Sequence, residues 1–210
     1  MAAPSMASDF IQIRNATFEL YLDNRPICTA EFVSPTELVT ASHCVVLPLN
    51  GPQDKITDHT WSIQTSDGTT VRSYDLTFEL LENITYDVAT FKLKDSMARF
   101  PYVDVAPSDY VPKMGDRVIA AHYPLARNYF MISEGTFTSV VNTPAEMYGK
   151  KSFLTSIDGV APGSSGSGLY ALINGTWKLI GTLEGGPPQD EAFNFYSPIA
   201  GAYQIAHTLN

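Results

Sequence analysis

Six consecutive small residues, Gly163-Ser164-Ser165-Gly166-Ser167-Gly168, set hydroxyl groups on a backbone able to turn sharply. A serine hydroxyl is a poor nucleophile unless a base takes its proton. A base stands upstream in Thr40-Ala41-Ser42-His43-Cys44, and a carboxylate in Tyr86-Asp87-Val88-Ala89. An imidazole titrating near neutrality is the natural general base. Asp87 heads an apolar run, where an unpaired buried charge is costly. Accepting the Nδ1–H of His43 would meet that need and fix the ring's tautomer. His43, Asp87 and Ser165 in that order suit acyl transfer.

Each element has a bland competitor. The glycine–serine run on its own describes a flexible loop. A lone histidine is commonly a hydrogen-bonded core residue, and His59, His122 and His207 are assigned that role here. An aspartate in so acidic a chain is commonly a turn or cap residue; Asp75 and Asp67 are lesser candidates for the orienting carboxylate. Ser164 and Ser167 compete with Ser165 for the nucleophile's place. If Ser165 holds it, the turn would aim the N–H groups of Gly163 and Ser165 at one point, an oxyanion hole. Losing one such donor costs roughly 10²–10³ in rate.

The elements that must position these groups read as strands. Alternation and Thr, Val, Tyr and Phe content mark Phe18–Leu22, Ala30–Ser34, Glu37–Thr40, Thr60–Thr65, Val71–Leu80 and Val88–Leu93. Ser66-Asp67-Gly68 looks like a hairpin turn. Residues 100–113 carry three prolines and read as a linker. Strands resume at Arg117–Ala121, Met131–Val141, Phe153–Ser156, Gly168–Leu172, Trp177–Leu183 and Asn194–Tyr196. Gly201–Leu209 has helical spacing and should be a short closing helix. The expected fold is all-β: two six-stranded antiparallel β-barrels with a cleft between them. Residues 1–9 are expected to be a disordered segment, 10–99 the first barrel, 114–198 the second and 199–210 the C-terminal helix.

Composition bounds the rest. The chain has 210 residues, 44% of them hydrophobic, enough for a real core. No apolar run approaches the ~18 residues that span a bilayer. The first eight residues lack a basic head and an apolar middle, so no signal peptide is read there. A net charge of −9 with scattered basic residues disfavours nucleic acid and anionic membrane as partners. The partner expected is a peptide or protein substrate, and the expected state is a monomer. No cofactor and no metal is expected: two cysteines are too few for a zinc site, and the four histidines lack ligand spacing. A bridge between Cys28 and Cys44 would add about 3 kcal/mol in an oxidising compartment. In a reducing one they would be two buried thiols.

Thr40-Ala41-Ser42-His43-Cys44, Asp87-Val88-Ala89 and the glycine–serine run together resemble the chymotrypsin/trypsin-like serine peptidases. The stretch 155–170 and the late Phe195-Tyr196-Ser197-Pro198-Ile199 are most similar to compact bacterial and viral members, including glutamyl endopeptidases and HtrA-type proteases. The resemblance covers about residues 15 to 205 and implies the same two-barrel fold with the triad in the cleft. The spacing of Cys28 and Cys44 resembles the bridge that the family places beside its histidine.

Departures from the family pattern carry expectations too. Digestive members have an Asp before the nucleophile that pairs with a freshly cut N-terminal amine. Here that residue is Ser164, so no zymogen activation by a new N-terminus is expected. Where trypsin has the Asp that selects basic side chains, this chain has Gly159, with Asp158 one place off. Where glutamyl enzymes select with a His, it has Leu183. With Val160, this implies an apolar or small P1 pocket. Glu184 reads either as a solvent-facing charge or as a selector at the pocket edge. Gly185 and Gly186 offer backbone to an extended substrate. Two settings compete: a secreted endopeptidase that has lost its leader, and a viral peptidase released from a polyprotein inside the host cell. A catalytically inactive barrel pair serving as a protein-binding module is the rival from another class.

Overall fold

In strand β1 (Thr17–Leu22), apolar and polar residues alternate, yet all six are buried. Phe18, Leu20 and Leu22 enter one core, while Thr17 and Glu19 face the other way. Strand β2 (Arg25–Ser34) repeats the pattern: Cys28, Ala30 and Phe32 inward, Thr29 and Glu31 outward. A half-buried sheet would expose the second face. Here that face is covered by a second sheet, which explains why both are buried.

The computed structural model describes residues 6–46, 55–66, 71–76, 78–83, 87–93, 100–124, 129–142, 151–185 and 193–198. After β2 come β3 (Glu37–Thr40), a short helix α2 (His43–Val46), β4 (Trp61–Ser66), β5 (Val71–Asp75), β6 (Phe78–Asn83) and β7 (Val88–Leu93). They form a curled antiparallel sheet in the order β5-β4-β1-β2-β3-β7-β6. Strands β8 (Arg117–His122), β9 (Met131–Asn142), β10 (Lys151–Ile157), β11 (Gly168–Ile173), β12 (Thr176–Gly185) and β13 (Phe193–Pro198) close a barrel in the order β10-β13-β12-β11-β8-β9.

The two-barrel all-β architecture is therefore the one expected, with a corrected count of seven strands in the first sheet. The run Val71–Leu80 breaks after Asp75, because Leu76 buries itself and donates its N–H to Trp61 O at 2.8 Å. β5 consequently pairs with β4 at one edge, and β6 with β7 at the other. A second correction concerns residues 6 to 9. They belong to a helix, α1 (Met6–Ala16), rather than to a disordered segment. Ile13 and Ala16 anchor it in the core between the barrels, and the Phe10 ring lies 6.1 Å from Trp177. The expected closing helix, His207, the Ser66-Asp67-Gly68 turn as a unit and Gly186 lie outside the described residues.

Three apolar clusters follow from strand parity. On β8, Val118 and Ala120 fill the barrel interior, and Ile119 and Ala121 face the junction. On β11, Leu169 and Ala171 point in, and Tyr170 points to the junction. The linker is strapped to both halves: Val103 N–H donates to Phe32 O at 3.0 Å, and Ala106 N–H to Leu179 O at 2.9 Å.

Candidate active site

Antiparallel register brings two of the candidates together. Thr40 at the end of β3 pairs with Ala89 of β7. Two residues further along, Ser42 stands opposite Asp87, and its N–H donates to Asp87 O at 3.1 Å. Asp87 is fully buried, with φ of 48°, a left-handed conformation that Asp tolerates better than most residues. Its Oδ1 accepts Ser42 Oγ–H at 2.9 Å and His43 N–H at 2.8 Å. Its Oδ2 lies 2.7 Å from His43 Nδ1. Three donors compensate the buried charge. A carboxylate only accepts, so Nδ1 carries a proton, and in the neutral ring Nε2 is the nitrogen with the lone pair. The His43 side chain keeps 15% of its surface open.

Cys28 and Cys44 form a disulfide that ties β2 to α2 directly behind the imidazole. Both sulfurs and a His43 ring nitrogen lie within 4.8 Å of one another. In the bridged form neither sulfur is the thiolate that a metal ligand must be.

The glycine–serine run folds as two successive turns. Ser164 N–H donates to Ala161 O, and Ser167 N–H to Ser164 O, both at 2.9 Å. Gly163 and Gly166 take φ of 93° and 80°, the third positions of type II turns, with Pro162 at the second position of the first. Ser165 therefore occupies the second position of the second turn. Ser164 and Ser167 are fully buried, while Ser165 stays partly open to solvent. Among the described residues, the N–H groups of Ser164, Gly166 and Ser167 donate to backbone carbonyls, and those of Gly163 and Ser165 donate to none.

This loop docks on the first sheet. Thr29 N–H donates to Ser165 O at 2.8 Å, and Thr29 Oγ1–H to Gly163 O at 3.0 Å. A Cβ on Gly166 would stand 2.3 Å from Thr29 O and 2.9 Å from Ala41 N, so only glycine fits so close an approach. Ser165 thus sits beside the β2 and β3 segments that carry Cys28 and lead to His43. No hydrogen bond joins Ser165 Oγ to His43 among the described residues. Such bonds commonly tighten only once substrate is bound.

The specificity candidates are distributed unevenly. Gly159 is exposed at φ of 86°, and Val160 is half-buried against the core cluster that contains Leu183. Leu183 borders the glycine–serine turns through its main chain: its O accepts Gly166 N–H, and its N–H donates to Ser167 O. Gly185 is half-buried at the end of β12. Glu184 is not the solvent-facing charge considered above. It is buried and accepts Ser152 Oγ–H at 2.8 Å. A register shift between Leu183 and Gly185 leaves Glu184 as the extra residue of a bulge, and such residues are re-aimed.

Two residues of the site escaped the sequence reading. Thr29 holds the glycine–serine turns, with Thr40 Oγ1–H donating to its O at 2.8 Å and its own Oγ1 accepting Tyr123 N–H at 3.0 Å. Nothing in its local sequence marks it. The other is His122. Its assignment to the core holds, since it is fully buried. Its partners, however, are Ser164 and Ser133. Strand parity carried a signal: His122 shares the inward face of Val118 and Ala120, and a polar group there must find partners.

Comparison with known proteins agrees with this fold. A family model described as a trypsin-like peptidase domain matches residues 28–181. A search of curated proteins returned no match to the sequence. Among solved structures, an HtrA-type protease crystallised with a tripeptide, AlgW, is similar with a TM-score of 0.74 at 17% identity, covering 98% of this chain and 64% of that one. The active form of a protease from M. tuberculosis has a TM-score of 0.69 at 17% identity, covering 98% and 87%. At such identities the likeness is one of fold.

Proposed function

The chain belongs to the trypsin-like peptidase domain family, and from that premise we propose that it is a serine endopeptidase working through His43, Asp87 and Ser165. The observation that carries the reading is the buried Asp87 carboxylate holding both the main chain and the Nδ1–H of a partly open His43. That arrangement leaves Nε2 as a base with a fixed tautomer.

In this mechanism His43 Nε2 takes the Ser165 proton as Ser165 Oγ attacks a peptide carbonyl. The N–H groups of Gly163 and Ser165, which no described carbonyl engages, receive the oxyanion. His43 returns the proton to the leaving amine, and water, activated the same way, releases the acyl group. Asp87 stabilises the imidazolium at each stage. Gly159, Val160 and Leu183 supply no charge, which favours an apolar or small P1 side chain. Gly185, at the end of β12, presents backbone to the substrate.

A fluorophosphonate probe tests the assignment. It should label the protein at Ser165, and Ser165→Ala should lose both labelling and peptide cleavage. Labelling that persists in Ser165→Ala would remove Ser165 from its role. A folded protein that takes no label would instead be the inactive barrel pair that binds protein. Cleavage of a peptide library should select apolar or small P1 residues. Selection of Arg, Lys or Glu would overturn the pocket assignment.

A further inference from the structure

The nucleophile turn is held from below by a buried chain of three side chains. Ser164 closes the first turn and opens the second, and its Oγ accepts Ala161 N–H at 3.2 Å. The same Oγ lies 2.8 Å from His122 Nδ1. On the far side of the ring, Nε2 lies 2.9 Å from Ser133 Oγ on β9. Ser133 Oγ in turn stands 3.3 Å from where a Cβ on Gly159 would be. The chain Ser133–His122–Ser164 therefore runs from β9 beside Gly159, through the end of β8, into the turn that carries Ser165.

No charge is needed to hold it. Because Ser164 Oγ already accepts from Ala161, its own proton can go to Nδ1, and Nε2–H then donates to Ser133 Oγ. Burial pushes the His122 pKa down from 6.5 to about 4, so the ring is neutral near pH 7. Nor is the group a second catalytic pair. Both ring nitrogens are engaged, and His122 and Ser164 are closed to solvent.

We propose that His122 is a positioning residue: through Ser164 it locks residues 161–167 in the conformation that leaves the Gly163 and Ser165 N–H groups free for substrate. The proposal rests on the serine peptidase reading and deepens it. It supplies a neutral hydrogen-bonded lock at the position where Ser164 has no carboxylate for an N-terminal amine to pair with. Substrate recognition further from the turn does not depend on it.

Two isosteric changes separate the two ends of the ring. The amide of His122→Asn reaches the Nδ1 position and can keep Ser164. The amide of His122→Gln reaches the Nε2 position and keeps Ser133 only. Steady-state kinetics should show kcat in His122→Gln falling by about 10–100-fold with KM nearly unchanged, a fraction of what losing one oxyanion donor does. His122→Asn should recover most of that loss. Amide hydrogen exchange over residues 159–168 should quicken in His122→Gln and stay near wild type in His122→Asn. Ser164→Ala, which leaves β8 and β9 untouched, is the companion should either ring variant misfold, and it should behave as His122→Gln does. Unchanged exchange over 159–168 and unchanged kcat in Ser164→Ala would overturn the lock. So would an equal loss in the Asn and Gln variants. If the wild type takes no fluorophosphonate, the peptidase reading fails, and the exchange measurement still decides the lock.

Discussion

At the scale of single residues, Asp87 is the group on which most converges. One carboxylate accepts from Ser42 Oγ, His43 N and His43 Nδ1, so it shapes the β3–α2 corner and sets the imidazole at once. Asp87→Asn keeps the size but replaces an acceptor with an amide that can donate. The amide would favour the wrong tautomer, with the proton on Nε2. The expected outcome is a fall in kcat of roughly 10⁴ with little change in KM, read from peptide hydrolysis near pH 7. An unchanged kcat would detach Asp87 from catalysis. The proposed triad residues could be nominated from the sequence because chemistry restricts which side chains can serve. Thr29 and His122 were not, because their work is done by contacts with residues 134 and 42 positions away.

At the scale of elements, the junction between β2 and β11 carries a second buried titratable group. Glu31 on β2 is fully buried, and its Oε1 accepts Gly168 N–H, the first residue of β11, at 2.6 Å. Desolvation raises its pKa well above the usual 4.5, and the Gly168 hydrogen bond opposes this only in part. The sign follows from proton uptake. Above the ordinary carboxylate range the unfolded chain has released this proton while the folded one still holds it. Stability is therefore greatest below that range and falls as the pH rises toward the folded pKa. Glu31→Gln should keep the acceptor for Gly168 and remove the ionisation. It should raise Tm relative to wild type at pH 8, and the difference should vanish near pH 4. A thermal melt series across that range checks it, and a Tm difference independent of pH would refute it. The strand assignments themselves were mostly legible, since alternation survives in β1 and β4 without any tertiary information. The β5–β6 break was not, because Leu76 turns inward to meet Trp61, a partner fifteen residues upstream.

At the scale of the molecule, two sheets share one buried junction, and the proposed catalytic groups are divided across it. His43 and Asp87 come from the first sheet and Ser165 from the second, so anything that loosens the junction separates them. The Cys28–Cys44 bridge stiffens the first sheet within its own core, beside His43. Replacing both cysteines with alanine should lower unfolding stability by about 3 kcal/mol, measured by denaturant titration under non-reducing conditions. Loss of activity should track loss of stability, because the bridge lies behind the imidazole rather than in the cleft. A double variant as stable as the wild type would show that the bridge does not hold the fold. The sequence by itself determined the family pattern and the all-β class, and it nominated His43, Asp87 and Ser165 as a triad. These rest on residue chemistry and on alternation of period two, both local properties. Only the tertiary structure decided which serine is reachable, where Glu184 points and what holds the nucleophile turn. Those depend on burial and on hydrogen bonds between distant segments, which exist only once the two sheets have closed on each other.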